Sequence, residues 1–85
     1  MKNLRKQIDE IDQQIIKLLA ERISTAKAIG KFKKEAEMPV YDKKREIDIR
    51  SKLKKLSKKN GLSAEFINHL YTHIFIESAN SQKKD

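Results

Sequence analysis

Arg22 stands where the surrounding pattern calls for isoleucine or leucine. Leu4, Ile8, Ile11, Ile15 and Leu18 recur at alternating steps of four and three, the spacing of a helical stripe that packs on an apolar surface. Arg22 and Thr25 are its next members, and the stripe resumes at Ile29 and Phe32, which places the guanidinium inside the apolar face rather than at its end. A cation withdrawn from water needs a counter-charge, because an unpaired buried charge costs a large share of a small domain's stability. If no carboxylate of the chain supplies that charge, an anionic ligand must.

The other helical stripes are interrupted in the same way. Lys33 follows Arg22 by three helical turns, so the two side chains project from nearly the same face with their backbones about 16 Å apart. Long cationic side chains leaning together at that spacing can clamp a small molecule. The apolar stripe of a second helix runs back through Glu46 and Arg45 to Asp42, and Ser78 and Gln82 form an i, i+4 pair near the end of a third. Cations with neutral hydrogen-bond donors opposite them suit an anion that carries carboxylates and an oxygen in need of donors. Arg5 lies on the first helix about 25 Å before Arg22 and rotated by roughly 100° from it. The two can share one small ligand only if two long helices pack antiparallel in a dimer, with Arg5 of one protomer reaching the pocket of the other. Ordinary ion pairs are the competing account: Arg5 with Asp9, Arg22 with Glu21 or an acid of another helix, and Arg45 with Glu46 or Asp42. Taken together these strain, since Arg22 and Gln82 both sit on stripes that otherwise read as core. His69 and His73 are an i, i+4 pair, but with no third ligand and no glutamate after His69 no metal site is expected.

Three helices must position these groups. The first is predicted over residues 3–34, without a proline, and is nearly 50 Å long at about 1.5 Å per residue. A compact chain of 85 residues has a radius of gyration of only about 12 Å. Such a rod overshoots a monomer and implies a partner chain. Pro39 pushes Met38 towards an extended conformation and breaks the helix between Ala36 and Tyr41, a segment without glycine. Asp42 then caps a helix over residues 43–59 that carries Ile49, Leu53 and Leu56, and Asn60-Gly61 ends it with glycine in the left-handed position. Ser63 caps the third helix, over residues 64–82, whose stripe of Ile67, Leu70, Tyr71, Ile74 and Phe75 continues into Ser78 and Gln82. Residues beyond about 82 are polar and expected to fray.

Composition points the same way. Charged residues make up 38% of the chain and aromatics 6%, with two glycines and one proline, so an all-α fold built from aliphatic helix packing is expected over a single domain, residues 1–85. The absence of cysteine excludes a disulfide framework and thiolate metal sites, and no apolar run approaches the length of a membrane span. The chain reads as cytoplasmic. Its formal charge of +8 raises the question of nucleic acid, but the surplus is lysine on the polar side of the helical pattern (Lys54, Lys55, Lys58, Lys59, then Lys83 and Lys84), with no aromatic residues among them. A solvated helix face is the simpler reading, so neither nucleic acid nor membrane is expected as a partner.

Several segments, in order and at matching spacing over nearly the whole chain, resemble the all-helical AroQ class of chorismate mutases. They are Leu4-Arg5-Lys6-Gln7-Ile8-Asp9-Glu10-Ile11-Asp12, Leu18-Leu19-Ala20-Glu21-Arg22, Gly30-Lys31-Phe32-Lys33, Pro39-Val40-Tyr41-Asp42 with Arg45-Glu46, and Glu77-Ser78 with Gln82. The resemblance implies an intertwined homodimer of three-helix protomers with two shared sites and no cofactor. It implies that Arg22, and Arg5 supplied in trans, bind the two carboxylates of chorismate, and that Lys33 and Gln82 donate hydrogen bonds to the ether oxygen whose bond breaks. Arg45 and Ser78 are implied to hold the ring carboxylate region, and Glu46 with the backbone near Asp42 the ring hydroxyl. The implied reaction, the pericyclic conversion of chorismate to prephenate in phenylalanine and tyrosine biosynthesis, needs no nucleophile and no proton transfer. Two alternatives accompany it: an isochorismate-pyruvate lyase of the same fold, and a non-catalytic helical module that regulates an aromatic-biosynthesis enzyme.

Overall fold

The second and third helices begin at side-chain caps that the sequence marks. The computed structural model describes residues 1–39 and 42–83, which form α1 (Lys2–Glu35), α2 (Lys43–Lys59) and α3 (Ala64–Lys83), with no strand among the described residues. Val40 and Tyr41 of the Pro39-Val40-Tyr41-Asp42 segment, and Lys84 of the lysine tail, lie outside the described residues. Asp42 caps α2, its carboxylate accepting the Arg45 backbone N–H at 3.0 Å, and Ser63 Oγ accepts the Phe66 N–H at 3.2 Å at the head of α3.

Both interhelical turns use the same closing pattern. After α1, the Met38 N–H donates to the Lys33 carbonyl at 2.8 Å and the Glu37 N–H to Lys34 at 3.1 Å. After α2, the Leu62 N–H donates to Ser57 at 2.8 Å and the Gly61 N–H to Lys58 at 3.2 Å. These paired bonds satisfy carbonyls left over at a helix end, and they require a left-handed residue between them. Gly61 fills that position at φ 69°, whereas after α1 it falls to a glutamate, Glu37, at φ 56°.

Helix α3 is the middle element. It packs against both α1 and α2, which do not pack on each other. On α1 the face against α3 runs through Leu19, Ile23, Ala26, Gly30 and Lys33, with Ala26 and Gly30 buried. That face lies one position on from the stripe beginning at Leu4, so within the single chain α3 covers the neighbouring face and leaves the Leu4 stripe open. Leu4, Ile8, Ile11, Ile15 and Leu18 are all about half exposed or more, because α3 covers only the second half of α1. The same shift occurs on α2, where Leu56 is exposed and Ser57 is buried with its hydroxyl donating to the Leu53 carbonyl at 2.7 Å. A small residue there lets α3 approach closely.

Among the described residues Ala26 is the only buried apolar side chain. The molecule measures 53 × 26 × 15 Å with a radius of gyration of 15.6 Å, well above the roughly 12 Å of a compact chain of this length. No helix among the described residues is long and apolar enough to cross a membrane.

Candidate functional site

Because α1 and α2 each lean on α3 without meeting, a cleft of about 790 Å³ opens between them. Helix α1 lines it with Arg22, Thr25, Ala26, Ile29, Lys33 and Lys34, the head of α2 with Asp42, Arg45, Glu46 and Ile49, and α3 with Phe75, Ser78, Ala79 and Gln82. The periodicities explain the convergence. Residues 22, 26, 29 and 33 are steps of four, three and four along α1, and 71, 75, 78 and 82 repeat that rhythm along α3. Of the eight residues singled out in the sequence, Arg22, Lys33, Asp42, Arg45, Glu46, Ser78 and Gln82 therefore share one cleft. Arg5 does not line it and makes no ion pair with Asp9 among the described residues.

Four cations and two carboxylates face this space. Arg22 is half-buried and donates from Nη1 to Ser78 Oγ at 3.0 Å, with its guanidinium 5.6 Å from the Tyr71 ring and 5.7 Å from the Phe75 ring. The ring faces offset part of its desolvation, but among the described residues no carboxylate pairs with it. Neither Glu21 nor an acid of another helix plays that part. Arg45 does form an ion pair, as the competing account has it, but with Asp48, 3.2 Å from its Nη1, and not with Glu46 or Asp42.

Glu46 is instead held by Arg50, whose Nε and Nη2 both reach Glu46 Oε1 at 3.4 Å. The same guanidinium donates to the Asn68 carbonyl at 3.3 Å, to Asn68 Oδ1 and to Thr72 Oγ1 at 3.1 Å, and it lies 4.9 Å from the Phe75 ring on its way across to α3. Arg50 thus ties α2 to α3 and counters the carboxylate next to the cleft. Sequence reading missed Arg50 because an arginine one position after Ile49 looks like the start of the solvated face.

Gln82 closes the cleft at the end of α3. Its Nε2 donates to the Ala26 carbonyl at 3.0 Å. A carbonyl only accepts, so this contact fixes which end of the amide faces α1 and leaves the second Nε2 hydrogen for a ligand. Two further features escaped the sequence: the Ala26 carbonyl as a partner, and the Tyr71 and Phe75 rings, packed edge to face at 5.9 Å, as the flank of Arg22. His69 lies on the solvent side of α3, 3.8 Å from Glu65.

A second depression of about 590 Å³ lies between α2 and α3, but its charged groups are only Arg50, Lys54 and Glu65, and Arg50 is already engaged.

Comparison with known proteins gives the family. The chain is 37% identical over 87 aligned positions to a bifunctional chorismate mutase/prephenate dehydratase of Aquifex aeolicus, covering 99% of this chain and 24% of that protein. It is 42% identical over 59 positions to a chorismate mutase of Methanocaldococcus jannaschii, covering 69% of this chain and 60% of that one. To a bifunctional chorismate mutase/prephenate dehydratase of Escherichia coli it is 36% identical over 80 positions, 94% of this chain and 21% of the other. The chain therefore spans about a quarter of the length of these bifunctional relatives. Residues 4–83 match the family described as chorismate mutase type II, and the chain belongs to that family.

Proposed function

We propose that this chain converts chorismate to prephenate in the α1–α2–α3 cleft, and that each cleft is completed by a second copy of the chain. The observation that carries the reading is Arg22: a half-buried guanidinium held by a serine hydroxyl and two rings, whose counter-charge is left for a ligand to bring. A dianion fits a cleft in which four cations face two carboxylates, with Arg50 beside Glu46 and Asp48 beside Arg45.

In the rearrangement one carbon–oxygen bond breaks as one carbon–carbon bond forms, and negative charge grows on the ether oxygen as it leaves. The work of the site is to hold the compact conformer and to meet that charge with donors already in place. Arg22 and the partner subunit's Arg5 hold the two carboxylates, and Lys33 with the second Nε2 hydrogen of Gln82 faces the ether oxygen. Arg45 and Ser78 hold the ring carboxylate region. Glu46, whose Oε1 is occupied by Arg50, offers its other oxygen to the ring hydroxyl, beside the backbone at Asp42.

The second copy is supported by the apolar stripe from Leu4 to Leu18, which is left exposed, and by the scarcity of buried apolar side chains among the described residues. Two α1 rods packed antiparallel would cover both stripes and carry each Arg5 towards the far cleft.

The test is to incubate the purified chain with chorismate, and separately with isochorismate, and to identify the products. Prephenate from chorismate is expected. Pyruvate release from isochorismate with no turnover of chorismate would replace the reading by the lyase. Sedimentation is expected to show a dimer at micromolar concentration, and a folded, active monomer would defeat the shared site.

A further inference from the structure

Gly30 lies in the interior of α1, where the helical backbone makes no demand for glycine and any other residue except proline is favoured over it. The reason for a glycine lies across the cleft. A Cβ added at Gly30 would come within 2.7 Å of Gln82 Cγ, 2.9 Å of Gln82 Cβ and 3.3 Å of Gln82 Cα. The first two separations are shorter than real carbon contacts, and two of the three atoms are the Cβ and the backbone of Gln82. Turning the amide about its outer bonds therefore cannot relieve the clash. The last turn of α3 would have to withdraw from α1. One turn before Gly30, the Ala26 carbonyl holds Gln82 Nε2 at 3.0 Å, a bond that withdrawal would stretch or break.

We propose that Gly30 is a positioning residue for Gln82, its missing side chain forming the notch that sets how deeply the Gln82 amide enters the cleft. The inference rests on the reading of the cleft as the chorismate site, and it adds to that reading a determinant of where one donor stands. The notch is local, since the three nearest atoms to the added Cβ all belong to Gln82, while the Arg22–Ser78 contact sits one turn earlier on α3. A donor displaced by about 1 Å loses on the order of a hundredfold in rate when it must meet a transition-state charge.

The test uses the full chain in four forms: wild type, Gly30→Ala, Gln82→Ala and the double variant. Gly30→Ala is expected to lower kcat/KM on chorismate about ten- to a hundredfold, chiefly through kcat, in a chain that still folds. In the Gln82→Ala background the same change is expected to cost less than about twofold, because no amide is left to displace. Equal losses in both backgrounds would make Gly30 a general packing residue and overturn the proposal, and so would wild-type kinetics in Gly30→Ala. A second readout is independent of turnover and of any variant: in the wild-type chain, nuclear Overhauser contacts are expected between the Gly30 Hα protons and the Gln82 Hβ and Hγ protons. Their absence would overturn the notch. Their presence in a chain inactive on chorismate would uphold the notch and refute the assigned reaction.

Discussion

In the proposed reading Arg22 serves the ligand rather than the fold. Its hydrogen-bond partner is a neutral hydroxyl, so truncation removes no ion pair from the free protein. Arg22→Ala is expected to leave the unfolding midpoint unchanged or slightly raised while kcat/KM falls by about a hundred- to a thousandfold, the range seen when a preorganised charge-stabilising donor is lost. Parallel calorimetry and kinetics check this, and a large loss of stability would show that Arg22 is structural. Gln82 bears on a different property. An amide does not titrate, so in its proposed role it would donate to the ether oxygen at any neutral pH. Gln82→Glu donates only as the neutral acid, and the carboxylate formed as pH rises through the range of a glutamate, near 4.3 in model peptides, repels the developing charge. Activity in that variant is therefore expected to be highest in acid and to decline as pH rises. A kcat/KM profile that tracks wild type from about pH 5 to 8 would remove Gln82 from the ether oxygen.

Among the elements, the two interhelical turns form a matched pair that differs in one residue. Both close with the same hydrogen bonds around a left-handed residue, Glu37 in one and Gly61 in the other. A side chain in that conformation costs about 1–2 kcal/mol, and a glycine returns roughly 0.5–1 kcal/mol of this as lost chain entropy. Glu37→Gly is thus expected to stabilise by up to about 1 kcal/mol, a rise of a few degrees in Tm at fixed protein concentration, and Gly61→Ala to lower Tm by a similar amount. The added Cβ of Gly61→Ala meets nothing within 4 Å, so that variant isolates the conformational cost. Matching signs in the two variants would contradict this account. At this scale much was legible from local chemistry: Asp42, Ser63 and Gly61 mark their helix ends in the sequence as they do in the structure. The facing of the helices was not. Periodicity singled out Leu56 on α2 and the Leu4 stripe on α1, whereas α3 packs on Ser57 and on the face through Ala26 and Gly30. Close helix approach favours small residues, which carry little hydropathy and so leave little trace in an apolar pattern.

At the scale of the whole molecule, the proposed second copy accounts for two separate features, the exposed Leu4–Leu18 stripe and the position of Arg5 outside the cleft. If the partner's Arg5 completes each cleft, inactive Arg5→Ala and inactive Arg22→Ala chains should complement each other. In their heterodimer one cleft draws both arginines from intact copies and the other lacks both, so recovery approaching half the wild-type rate per heterodimer is expected. Subunit exchange without recovery would place both arginines in one chain's cleft, against the geometry of α1.

The sequence by itself determined the three helices, their caps, and the candidate polar residues, because helix propensity, capping and periodicity act over a few residues and can be read from spacing alone. It also marked Arg22 and Gln82 as polar groups on apolar faces. Only the tertiary structure decided that seven of those residues line one cleft, that Ser78 rather than a carboxylate holds Arg22, that Arg50 takes Glu46, and that Gly30 makes room for Gln82. Each of these joins residues on different helices, and its distance depends on how closely α3 approaches α1 and α2. That approach is set by the shape of small buried side chains rather than by any repeat along the chain.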